Sequence, residues 1–104
     1  MKFMVIASMK DAAATVPATT LGTLWEANVE HVDKAMKAGK ILQGYSTAGW
    51  GRTITIEEHS SHEELQRQLS TSPLGMFINF EVYPLVSWEE SVNLIREMLK
   101  SAGK

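Results

Sequence analysis

Cysteine is absent from the 104 residues, so disulfides, thiolate nucleophiles and cysteine-ligated metal centres are excluded. Nor is there an excess of basic residues. The formal net charge is −2 and the pI about 5.9. No run of Lys or Arg supplies the electrostatic footprint that nucleic acid or an anionic membrane surface attracts. No stretch approaches the ~20 consecutive apolar residues of a membrane span. The opening KFMVIASM bears a passing likeness to a leader peptide, with Ala12 to Ala14 as a mock cleavage site. Its apolar run is only about seven residues, at the short end for such a segment, and Lys10 and Asp11 part it from the alanines. It reads better as a strand, with the cytoplasm as the default location. Aromatic residues make up 8% of the chain, too few to signal a haem or flavin site. No glycine-rich phosphate loop, nucleophile elbow or metal motif occurs. No cofactor is therefore expected.

What is present is the material of one α+β domain over residues 1–104. A chain of this size buries roughly 65% of its unfolded surface, so sharing apolar surface with a second subunit would help it. Residues 2–9 are apolar on both alternating sets, Phe3, Val5 and Ala7 against Met4 and Ile6, which predicts a strand covered on both faces. A helix opens at Pro17 and carries Leu24, Trp25, Val29, Val32, Ala35 and Met36 at helical spacing. Gly39 ends it, with Lys34 and Lys37 in its last turns. Residues 40–47 and 52–58 form two strands around a Gly49-Trp50-Gly51 hairpin tip. Ser61 with Glu64, or Ser60 with Glu63, caps a short helix over 62–70, which Pro73 closes. Residues 75–85 form the longest strand, with Met76, Ile78, Phe80 and Val82 on an apolar face and Phe77, Asn79, Glu81 and Tyr83 on an amphipathic one. Ser87 and Glu90 cap a last helix over 88–101. Met4, Met9, Met36, Met76 and Met98 are expected to fill gaps in the core.

Right-handed crossovers then give a ferredoxin-like βαββαβ sheet with helices on one face and an extra C-terminal helix. The other sheet face needs a mate. A homodimer with facing sheets, or a larger homo-oligomer, is the expected partner, with no nucleic acid and no membrane.

Several side chains fit proton chemistry. Glu81 lies mid-strand beside Asn79 and Tyr83, where partial desolvation would suit it to moving a proton next to a carbonyl. The alternative is a structural carboxylate held by Arg52 or by a partner subunit. Asn28 sits in the apolar stripe of the first helix and either binds a carbonyl or caps backbone. His31, one turn on, is an acid–base candidate or a packing residue. Tyr45 and Trp50 flank the hairpin, as an oligomer contact or a pocket lid. His59 and His62 straddle a strand-to-helix turn without a third ligand and are read as loop residues, with metal excluded on that ground.

Gly39, Ala48-Gly49, Glu57 and Glu58, Ser61, Glu63, Leu65, Leu69, Ser72-Pro73-Leu74 and Glu81-Val82 together resemble the muconolactone isomerase family. The likeness runs over about half of the chain, its most telling part being the Pro-Leu turn followed by the Glu-Val strand. It implies a dimeric α/β-barrel assembly and a cofactor-free proton-transfer enzyme acting on a small lactone or other carbonyl compound. On the reading of the residues themselves, and not from the resemblance, Glu81 or His31 would be the acid or base, and Asn28 and Tyr45 the groups that polarise the carbonyl. The first helix departs from that family, with no lysine between Lys10 and Lys34, and Gln43, Gly44, Tyr45 and Ser46 stand where basic and aromatic positions are expected. Little turnover of muconolactone itself is therefore anticipated. Two other functions fit the same architecture. One is a cofactor-independent monooxygenase with Trp25, Trp50 and Asn28 around an aromatic substrate. The other is a non-catalytic binding or assembly module.

Overall fold

The computed structural model describes residues 1–103. Four strands, β1 (Lys2–Met9), β2 (Ile41–Ser46), β3 (Thr53–Glu58) and β4 (Ile78–Leu85), form an antiparallel sheet in the order β2-β3-β1-β4. Helices α1 (Ala18–Lys37) and α2 (His62–Ser70) make the two crossovers, and α3 (Trp88–Ala102) follows β4. This is the split βαβ arrangement expected from the sequence.

Local chemistry fixes the element ends. Gly39 takes φ +75° after α1. Its N–H donates to the Met36 carbonyl and that of Lys40 to Ala35, the paired bonds of a Schellman stop. Ser61 accepts the Glu64 N–H at 3.1 Å and Ser87 that of Glu90 at 3.1 Å. Both capping serines anticipated from sequence are thus in place. At the hairpin tip Gly49 and Trp50 both have positive φ, and Trp50 is 93% exposed.

The sheet divides the molecule into two unlike faces. Phe3 and Val5 of β1 pack with Leu65 and Leu69 of α2 and Phe80 of β4 in the core. Residues of β3 alternate, and Thr53, Thr55 and Glu57 share the side of β1 that carries Phe3, Val5 and Ala7, their register partners. Met4, Ile6, Ile54 and Ile56 consequently lie half-buried on the opposite, helix-free face.

Three expectations need correction. The last strand starts at Ile78, because Gly75–Phe77 form a 3-10 turn after Pro73-Leu74. Met76 therefore leaves the apolar strand face and is 75% exposed. Met36 and Met98, expected in the core, are also exposed, Met98 because α3 packs on little of its own protomer. The molecule measures 65 × 28 × 24 Å with a radius of gyration of 17.5 Å, against about 13 Å for a compact domain of this length. Trp88, Leu94, Ile95, Met98 and Leu99 are left as exposed apolar side chains along α3.

Candidate active site

Between α1, α2 and the sheet lies a cavity of about 80 Å³. Its walls are largely apolar, with Val5, Ile41, Leu69, Ile78 and Phe80 among them. A few polar side chains converge on it: Asn28 and His31 from α1, Thr53, Thr55 and Glu57 from β3, Gln68 from α2, and Ser72 just beyond. An apolar pocket with a small set of convergent polar groups is the usual form of a small-molecule site.

Asn28 is aimed by a partner. The Ser72 hydroxyl donates to Asn28 Oδ1 at 2.5 Å, which leaves the amide N–H groups as the uncommitted end, ready to donate to a ligand oxygen. His31 is less free than the sequence suggests. Its Nε2 lies 3.1 Å from both the Gln68 carbonyl and the Gln68 side-chain amide, so that nitrogen ties α1 to α2 and only Nδ1 is unclaimed. Trp25 forms part of the wall and is 40% exposed. Trp50 and Arg52 line an adjoining shallow depression that shares Ala7, Trp25, Thr53 and Ile78 with the cavity. They stand at its approach.

Glu81, Asn79, Tyr83 and Tyr45 lie elsewhere. In β4 the inward residues are Ile78 and Phe80, so strand alternation turns Asn79, Glu81 and Tyr83 to the helix-free face. Tyr45 pairs with Ile54 on that same face and is 59% exposed. Glu81 is exposed rather than half-buried. Its carboxylate accepts a hydrogen bond from the Tyr83 hydroxyl at 2.8 Å, and this bond pushes the Tyr83 phenol above its ordinary value. Within one protomer, Glu81 therefore does not share a pocket with Asn28 or His31.

The carboxylate that does reach the cavity is Glu57, only 2% exposed. Its Oε2 accepts from the Thr55 hydroxyl at 2.6 Å and its Oε1 faces His59 Nε2 at 2.9 Å. His59 stands in the turn between β3 and α2, as expected, but is itself only 2% exposed. Behind it, His59 Nδ1 makes no hydrogen bond and lies 3.6 Å from Glu64 Oε1. Glu64 pairs with Lys40 at 2.5 Å and accepts from the Ser60 hydroxyl and N–H. The Lys40 contact first, then Ser60, holds the Glu64 carboxyl far below the usual carboxylate range. A line of alternating acid and base thus runs from the cavity wall to the surface: Glu57, His59, Glu64, Lys40. Each oxygen of Glu57 has a second lone pair, so the carboxylate keeps capacity to take a proton from the cavity.

Three comparisons with known proteins agree with this architecture. The family model of muconolactone delta-isomerase matches residues 1–91. The crystal structure of a muconolactone isomerase superposes with a TM-score of 0.74 at 23% identity, covering 84% of this chain and 90% of that one. A 5-chloro-2-hydroxyhydroquinone dehydrochlorinase from Burkholderia phenoliruptrix AC1100, solved with 2,5-dihydroxybenzoquinone, superposes with a TM-score of 0.67 at 16% identity, covering 86% of this chain and 98% of that one. No curated protein sequence matches the chain.

Proposed function

We propose, for a chain that belongs to the muconolactone delta-isomerase family, that it is a cofactor-free enzyme moving a proton beside the carbonyl of a small lactone or ring ketone. One observation carries this reading. A buried carboxylate, Glu57, and an amide donor, Asn28, meet in one small apolar cavity. Proton abstraction next to a carbonyl needs both a base and a donor for the oxygen that gains charge. Glu57 takes the proton from carbon while the Asn28 amide donates to the developing enolate oxygen. Glu57 then returns the proton to another carbon of the same conjugated system, and the double bond has moved. His59 and Thr55 hold the carboxylate in place for both steps. His31 and Gln68 brace the wall, and Trp25 closes one side. The small volume favours a compact ring. The solved relatives are named for small ring compounds too, a lactone in one and a hydroquinone in the other.

Assembly belongs to the same proposal. Met4, Ile6, Ile54 and Ile56 form an apolar band on the helix-free face, and α3 projects with its own apolar stripe. A homodimer or larger homo-oligomer with facing sheets covers the first and gives the second a surface to pack on. Tyr45, Glu81 and Tyr83 are then interface residues. The described helices include none long and apolar enough to cross a membrane. A cytoplasmic location is also proposed.

Side-chain amide NMR tests the placement of the site. Titration with a small unsaturated lactone should move the Asn28 and Gln68 amide signals. Shifts confined to Asn79 and its neighbours on the other sheet face would place binding there and remove the reading.

A further inference from the structure

The charges around the cavity carry a consequence for what it accepts. Among the described residues, no Lys or Arg lines it. The charged groups that do are Glu57 and, when protonated, His31. Lys40 is spent on Glu64. Arg52 lines the adjoining depression at the cavity's approach and not the cavity itself. We infer that the cavity selects a neutral, hydrogen-bonding ring compound and discriminates against a ligand that carries a carboxylate. The inference rests on the reading above that this cavity is the ligand site, and goes beyond it by fixing the ligand's charge.

The conclusion holds in either protonation state of the buried pair. With His59 neutral, Glu57 presents an anionic wall, and a second carboxylate placed against it is repelled. With His59 as the imidazolium, the pair is a closed salt bridge. Its cation already faces Glu57 at 2.9 Å and has Glu64 behind it at 3.6 Å. Apart from His31, whose Nε2 is already engaged by Gln68, no group of the lining is then left to neutralise an incoming anion, which would lose its water for little gain. A neutral carbonyl or hydroxyl has no such cost. It finds the free Asn28 amide as a donor and the remaining lone pairs of Glu57 as an acceptor.

The test uses two ligands of nearly the same shape, a butenolide bearing a carboxymethyl group and the methyl ester of that acid. Binding of each is measured by calorimetry at pH 8 on the full-length protein. The ester should bind at least about tenfold more tightly than the acid, a gap of about 1.4 kcal/mol. Glu57→Gln should narrow the gap by improving the acid's affinity. Acid binding as tight as ester binding would overturn the inference while leaving the cavity as the site. Failure of both ligands to bind, or ester binding that survives a cavity-filling Ala7→Phe, would overturn the site itself and the inference with it. A circular dichroism melt of Ala7→Phe confirms that the filled variant is folded.

Discussion

Replacing His59 by leucine leaves Glu57 as a buried carboxylate without its partner. Both side chains are about 2% exposed and meet at 2.9 Å. Losing one member of such a pair typically costs roughly 3–5 kcal/mol, because the remaining charge stays out of water. For a domain of this size each kcal/mol moves the melting temperature by about 4–8 °C. His59→Leu should therefore melt at least about 12 °C below the parent at pH 7, measured by circular dichroism at one protomer concentration. Glu57→Gln should cost far less, about 1 kcal/mol. The amide still accepts from Thr55 and can donate to His59 Nε2. Adding His59→Leu to Glu57→Gln should then be cheaper than His59→Leu alone, with a coupling of about 2 kcal/mol. If His59→Leu melts within about 3 °C of the parent, or the two changes simply add, the pair is not a buried charge pair and Glu57 is not poised as described.

Other outcomes follow from the same geometry. Glu64 has a depressed carboxyl, so its stabilising contribution is present above its ordinary value of 4.5 and is lost as the pH falls below it. Lys40→Met should flatten the stability loss between pH 4.5 and about 2 in acid titrations followed by fluorescence. The raised Tyr83 phenol should ionise above 10.0, and Glu81→Gln should bring its tyrosinate absorbance change to lower pH when Tyr45 is Phe. Glu81→Gln should leave the melting temperature within a few degrees, since the side chain is exposed. Light scattering at micromolar concentration should show at least a dimer, and a stable monomer would leave the apolar helix-free face and α3 unexplained. Muconolactone itself should turn over slowly or not at all; an ordinary enzymatic rate would contradict the inference from the missing helix 1 lysine and the cation-free cavity.

Strand and helix positions were legible because their signals are local. Ser61, Ser87 and Gly39 mark helix ends by backbone chemistry that needs no tertiary context, and all three stand where expected. The inward position of Asn28, His31 and Trp25 was legible for a similar reason, since helical spacing alone places them on the stripe that lines the cavity. The inward position of Glu57 was not legible because β3 breaks the rule that apolar residues point inward. Ile54 and Ile56 face the helix-free side, and Thr53, Thr55, Glu57 and His59 take the side under the helices. The alternation was visible, but its direction depends on which face the helices cover and what covers the other. The exposure of Glu81 in the protomer was hidden for the mirror-image reason. Its neighbours look like a half-buried pocket lining, yet they belong to the face left open in the protomer. The excursion of α3 has no local signature, because its apolar stripe reads like that of any helix packed on its own domain.

The central claim, that Glu57 in the helix-side cavity is the proton acceptor, is tested most directly by deuterium exchange. A small unsaturated lactone is incubated in D₂O with the parent protein, with Glu57→Gln and with Glu81→Gln, and loss of the proton beside the carbonyl is followed by NMR. The parent and Glu81→Gln should exchange it at similar rates, and Glu57→Gln should be slower by about 10²–10⁴-fold. Exchange that survives in Glu57→Gln and is lost in Glu81→Gln would contradict the account and move the chemistry to the other face of the sheet.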